Sequence, residues 1–351
     1  MTVVKLKKEY FSIIFILLCL VVLFRYPDES KNGVIKGIEI CLYTIIPSLF
    51  PFMALSTYIV KSNILSPFYK FLSGTSKVIF RQPPCAISVI ILSMIGGFPI
   101  GIKMANDLYA QGQITKEQAQ RLCLFCMNGG PAFVITTVGL SMLGSMKAGV
   151  IIYASLCISS FISGIISSFV ANKNDLLKNK KSEISLPLSS LSAAISDSMQ
   201  SIITICAWVI LFSSATSCIK SVGLGENAYL VICSLLEVTN GCILLSGKAS
   251  ISVIAGIIGF GGFCVHFQVL SFLKNTGIKY GYFLVSRVLN GILSALFTHL
   301  FLLFIPVETD VFSNFDKNAV YSFSVSLPAF FVVIIMCIIM ILDIDRKKKV
   351  C

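Results

Sequence analysis

The residues of this chain that could do chemistry stand at interruptions in apolar runs. One interruption reads Gly96-Gly97-Phe98-Pro99-Ile100-Gly101-Ile102-Lys103, and another reads Asn128-Gly129-Gly130-Pro131. At Lys103 a cation would lie beside helix ends whose free N–H groups also favour anions, which suits an anionic substrate. The competing reading is a lysine that snorkels to the interface. Asn128 and Gly130 offer an amide and exposed backbone, either for substrate contact or for a kink. Glu237, in Glu237-Val238-Thr239-Asn240-Gly241, lies within an otherwise apolar run. An intramembrane carboxylate points first to function, such as carrying a coupling proton or binding a cation. Its structural alternative is an ion pair with Arg287 or Lys103. His266 can titrate near neutral pH, or can serve as a packing residue. Arg287 and Asn290 are about one helical turn apart in an apolar run, so Arg287 needs a partner or an anionic ligand. The candidate substrate-binding set is Gly97, Phe98, Pro99, Lys103, Asn128, Gly130, Glu237, Asn240, Gly262, His266, Gln268 and Arg287.

The elements that must position these residues are broken helices. Proline removes a backbone donor and clashes with the preceding turn, and glycine is a poor helix former. Broken helices survive at membrane depth only where their freed backbone groups face protein or a watery cavity. Paired, interrupted hydrophobic segments point to a transporter's substrate site. A looser copy of the first break occurs later: Gly96-Gly97-Phe98 is matched by Gly261-Gly262-Phe263. In that register Lys103 falls on Gln268 and Gly112 on Gly277, with Arg121 one residue out of step with Arg287.

Composition sets the class. The chain has 351 residues, 56% of them hydrophobic and 13% charged, against about 25% charged in a soluble protein. Its mean hydropathy is +0.89. These values predict an all-α polytopic membrane protein with about eight spans plus two broken or re-entrant helical segments. The short alternating segments of a β-barrel are missing from the sequence. Net charge is +12. In a membrane chain this excess belongs to cytoplasmic loops, and a single tryptophan gives no base-stacking array, so nucleic acid is not an expected partner. The 13 cysteines are scattered through apolar runs as small hydrophobes, and Cys123 and Cys126 form a CxxC without a second pair. No metal site and no cofactor is expected. No nucleophile motif, zincin motif, Walker sequence or dinucleotide fingerprint occurs in a suitable context, so the chain is not expected to be an enzyme, and it has no catalytic residues to name.

Along the chain, residues 1–24 predict an uncleaved first span behind Lys5, Lys7 and Lys8. Further spans are predicted at 33–60, kinked by Pro47 and Pro51, and at 148–171, 198–219, 227–246, 280–305 and 321–342, with a run at 119–145. Residues 62–84 read as an interfacial helix and loop, and 189–200 as an amphipathic lead-in along the interface. The broken segments are 85–104 and 249–270. If both are re-entrant, the N-terminus, the loop after residue 60, the Lys-rich linker 172–188 and the tail Arg346-Lys347-Lys348-Lys349 all lie inside. The acidic loop 307–316 then lies outside, as the positive-inside rule requires. Inverted and parallel repeats both remain compatible with the pattern.

Five motifs carry a resemblance. Gly-Gly-Phe-Pro-Ile-Gly-Ile-Lys (96–103), Gly-Gln-Ile-Thr-Lys-Glu-Gln-Ala-Gln-Arg-Leu (112–122) and Asn-Gly-Gly-Pro-Ala-Phe (128–133) resemble the sporulation integral membrane protein YlbJ family. So do Leu-Glu-Val-Thr-Asn-Gly (236–241) and Gly-Phe-Gly-Gly-Phe-Cys-Val-His-Phe-Gln (259–268). The resemblance runs from about residue 33 to 342. It implies two repeats of the gate or nucleoside-recognition type. The organisation is then a first anchor and loop (1–32), a first gate-like half (33–171), a basic cytoplasmic linker (172–188), a second gate-like half (189–342) and a basic cytoplasmic tail (343–351). SpoVV-like members are associated with moving dipicolinic acid into the spore. The resemblance therefore implies a transporter in the mother-cell-derived outer forespore membrane, with a small organic anion and the lipid bilayer as partners and self-association left open. Lys103, Arg121 and Arg287 would neutralise the dianion, and Phe98 and Phe263 would contact its ring. The alternatives are a nucleoside or ion transporter with the same repeat, or a non-transporting scaffold of a sporulation complex.

Overall fold

The computed structural model describes residues 20–62, 64, 74–169, 188–273 and 276–307. The last predicted span, all but the final residues of the first, nearly all of the basic linker and the acidic loop, and the basic tail lie outside the described residues. Every regular element among the described residues is helical.

Helix α1 (Pro27–Ile40) passes through a π-helical stretch, Cys41–Ile45, into α2 (Ile46–Ser62). The pair bends by 55°. Pro47 and Pro51 stand at and beyond the bend, and each withholds an N–H from the ladder, so the sequence expectation of a kink holds. Helices α3 (Ala86–Gly96) and α4 (Ile100–Ala110) are separated by Gly97, Phe98 and Pro99. Helix α5 (Lys116–Phe125) begins at a capping box in which Thr115 and Gln118 satisfy each other's backbone N–H. After the second interruption a π-helical segment, Ala132–Met142, leads to α6 (Met146–Phe169). The other half holds α7 (Leu188–Ser221), α8 (Glu226–Leu236), α9 (Val238–Leu245), α10 (Ile251–Phe260), α11 (Gly262–Phe272) and α12 (Tyr280–Phe304).

Four described helices are long and apolar enough to cross a membrane: α6, residues Ser190–Ser221 of α7, the Ile251–Leu270 run and α12. Counting the bent α1–α2 pair as one makes five. Two of the predicted eight, 1–24 and 321–342, fall almost wholly outside the described residues. Of the other six the structure divides two, for a physical reason. The predicted span 227–246 divides at Glu237 into pieces of 11 and 8 residues. At 1.5 Å per residue these are about 16 and 12 Å long, against about 30 Å of hydrocarbon. The run at 119–145 divides in the same way at residues 126–131. Two further expectations change. The segment 249–270, predicted to be re-entrant, passes through Gly261 as one 20-residue candidate span without a sharp bend. The lead-in 189–200 is continuous with the span after it, in a 34-residue helix about 51 Å long.

Packing relies on close backbone approach, as it must where lipid supplies no hydrophobic drive between helices. Helix α1 lies on α7, with Gly33 against the Ser214 backbone and Gly37 against that of Ile210. Helix α10 lies on α12 through Gly256 and Gly291, and α12 packs on α6. The main core gathers buried side chains from α2 to α6 and from α7 to α12.

Candidate functional site

The helix breaks meet in the core. Gly97 has φ 80 and ψ −172, a conformation essentially confined to glycine. A Cβ there would stand 2.7 Å from Gly130 N, so the first two breaks cross backbone on backbone. Phe98, joined to Pro99 by a cis peptide, is buried and lies over the other breaks. Its ring atoms are 3.5 Å from where a Cβ would stand on Gly261 and on Gly129. Gly262 in turn lies against Val238, whose amide N is 3.1 Å from the position of an added Cβ. Gly97, Gly130, Phe98, Gly261, Gly262 and the start of α9 thus form one contiguous chain of contacts.

A break frees helix-end donors and acceptors that low-dielectric surroundings cannot leave unpaired. Here three ionisable residues of the candidate set, Glu237, His266 and Arg287, supply the partners. The Glu237 carboxylate is the N-cap of α9, accepting from Thr239 N at 2.9 Å and Asn240 N at 2.6 Å. Arg287 on α12 is fully buried and donates to Leu124 O (2.6 Å) and Met127 O (2.5 Å), the carbonyls left at the end of α5. His266 Nε2 lies 2.9 Å from Phe260 O at the end of α10. A carbonyl only accepts, so Nε2 carries the proton and Nδ1 accepts from Tyr280 OH at 3.1 Å. The His266 ring is boxed by Phe260, Phe263, Tyr280 and Phe283. Glu237 therefore forms neither of the ion pairs that the sequence suggested, with Arg287 or with Lys103. Both ring nitrogens of His266 are engaged within the protein.

Asn128 and Asn290 belong to a network joining the second break to α6 and α12. Ser160 donates to Asn128 Oδ1 (2.5 Å) and accepts from Asn290 Nδ2 (3.3 Å), while Ser159 donates to Asn290. Asn240 Nδ2 reaches Ser213 Oγ at 3.4 Å, and Gln268 Nε2 reaches Cys264 Sγ at 3.3 Å. Three buried side-chain atoms near the breaks keep no protein partner among the described residues: Asn128 Nδ2, Asn240 Oδ1 and Arg287 Nε.

Lys103 occupies a different setting. It is buried, with Nζ 2.9 Å from both Thr57 Oγ1 on α2 and Asp107 Oδ2 one turn along α4. It lines a cavity of about 280 Å³ between α4 and α7, together with Asn106, Asp107, Asp197, Gln200, Ser201, Thr204 and Phe272. Lys61 on α2 pairs with Asp197 at 2.6 Å beside it. Arg121, the third cation expected to meet a dianion, donates to Phe80 O and Arg81 O. The α4–α7 cavity thus contains two carboxylates that the sequence reading did not single out. Asp107 was legible as an i,i+4 partner of Lys103, whereas Asp197 comes from the other half of the chain. Among the described residues no group of three or more His, Cys, Asp or Glu side chains could hold a metal ion.

No protein-family model matches the chain, and no solved structure matches it. A relative does: the sporulation integral membrane protein YlbJ of Bacillus subtilis (strain 168) is 23% identical over 330 aligned positions, covering 82% of this chain and 81% of that protein. The similarity covers about four fifths of both lengths, and the all-helical fold with several membrane-length helices agrees with a likeness to a sporulation integral membrane protein.

Proposed function

We propose that this chain is a membrane transporter used in spore formation, moving a small organic anion, dipicolinate first among them, across the outer forespore membrane towards the spore. On this reading α3–α4 is re-entrant and the two halves are gate-like repeats. The observation that carries the proposal is the crossing of helix breaks in the core, Gly97 on Gly130 and Phe98 over Gly261. Interrupted helices meeting at one place are what an alternating-access protein needs, because each break is a point where half-helices can move separately.

The test is uptake of labelled dipicolinate by vesicles containing the full-length purified protein. Accumulation above protein-free vesicles, competed by unlabelled dipicolinate and not by nucleosides, is the expected result. Competition by nucleosides alone would move the assignment to the nucleoside reading. A second reading, a non-transporting scaffold, is favoured by one specific observation: Glu237, His266 and Arg287 are all spent on the ends of broken helices. Folded protein that moves neither solute would select it.

A further inference from the structure

The cavity between α4 and α7 is lined by Lys103, Asn106 and Asp107 from α4 and by Asp197, Gln200, Ser201 and Thr204 from α7. On the α4 side stands Lys103, buried to 6% exposure. Its ammonium has three N–H groups, and among the described residues two of them are used, on Thr57 and Asp107. The third is left for whatever occupies the cavity that Lys103 lines. On the α7 wall acceptors predominate, beside the Gln200 amide, which can also donate. Asp197 gives one carboxylate oxygen to Lys61 and keeps the other. Ser201 Oγ donates back to the Asp197 carbonyl at 2.8 Å, and Thr204 Oγ1 donates to that of Gln200 at 3.0 Å. With their only protons committed to their own helix, both hydroxyls can only accept from the cavity.

Charge bookkeeping narrows the ligand further. The lining carries Lys103 against Asp107 and Asp197, and Lys61 beside it restores neutrality. A dianion would meet two carboxylates with no unpaired cation to offset them, and a dication would meet two lysines. A solute that brings one charge of each sign adds no net charge and satisfies both walls. The volume, about 280 Å³, lies at the low end for a ligand pocket and suits a molecule of a few heavy atoms.

We propose that this cavity binds a small zwitterion of the amino-acid type. Its carboxylate takes the spare Lys103 N–H. Its ammonium lies on the free Asp197 oxygen and the Ser201 and Thr204 hydroxyls. Phe272 closes the apolar side. The site is distinct in chemistry from the anion cargo of the transport reading and does not depend on it, because binding is an equilibrium property that needs no gradient.

The test is calorimetric titration and thermal stability of the full-length protein in nanodiscs, with L-alanine, propionate and ethylamine as probes at matched ionic strength. L-alanine should bind and raise the melting temperature. Propionate and ethylamine, each lacking one charged group, should bind about ten- to hundredfold more weakly, the loss expected for one hydrogen bond to a charged group. Asp197→Asn should weaken alanine binding by a similar factor. Asp197 is half exposed on its side chain, so this change does not threaten folding. The double change Lys103→Gln with Asp107→Asn removes the buried pair together and should also weaken it. The inference is overturned if alanine does not bind, if either single-charge probe binds as well as alanine, or if both variants bind alanine unchanged. Dipicolinate uptake without alanine binding rejects this site and leaves transport standing. Alanine binding without dipicolinate uptake keeps the site and rejects that cargo.

Discussion

The crossing of Gly97 and Gly130 can be taken apart by three alanine substitutions. Gly97→Ala meets two costs. Its backbone, at φ 80 and ψ −172, lies in a region essentially restricted to glycine, which costs of order 1–3 kcal/mol for another residue. The new Cβ would also stand 2.7 Å from Gly130 N and 3.0 Å from Gly130 Cα. Both are backbone atoms that no rotamer change can move, so overpacking adds about 1–3 kcal/mol. The total is about 2–6 kcal/mol. Gly112→Ala isolates the backbone cost. Its φ is 67 and nothing lies within 4 Å of the added Cβ, so a loss of about 1–2 kcal/mol is expected. Gly130→Ala isolates the crossing. Its Cβ would be 3.1 Å from Gly97 Cα and N, without a positive φ, and about 1–3 kcal/mol should be lost. The assay is denaturant titration of each purified full-length variant in the same detergent, followed by circular dichroism. Gly97→Ala should exceed each of the other two and lie near their sum. Equal losses for Gly97→Ala and Gly112→Ala, or a neutral Gly130→Ala, would show that the two breaks do not cross as described.

Three further outcomes follow from the helix-end roles. Arg287→Met leaves the Leu124 and Met127 carbonyls without their donor and should cost about 3 kcal/mol or more; Arg287→Lys, with no planar fork to span both, should recover less than half of that in the same titration. Glu237→Ala removes the cap of α9 and should cost about 1–2 kcal/mol, while Glu237→Gln keeps one accepting oxygen and should lie between it and wild type. If Glu237→Gln is instead fully stable but abolishes uptake, the carboxylate's charge is used for transport and not for capping. Tyr280→Phe removes the donor to His266 Nδ1 and should lower stability by about 1 kcal/mol without affecting binding of alanine in the α4–α7 cavity.

Some of this architecture is legible residue by residue. The bend near Pro47 and the breaks at Gly97–Pro99 and Asn128–Pro131 follow from local chain chemistry, because a missing donor or a glycine acts on its own turn whatever surrounds it. The break at Glu237 was missed, because glutamate is not among the residues that ordinarily mark an N-cap. Averaged hydropathy hides it, because one carboxylate hardly lowers the mean of a long apolar window.

Composition and local chemistry thus determined the class of the protein, its helical content and where most helices must stop, since each depends only on a residue and its neighbours within a turn. Tertiary structure alone decided what the charged residues do. Arg287 caps carbonyls 160 and 163 positions away, and Asp197 joins Lys103 at one cavity across the boundary between the halves. No spacing rule reaches that far. In an apolar core a charge goes wherever the fold has left a helix end unpaired, and which ends those are is set only when the breaks have come together.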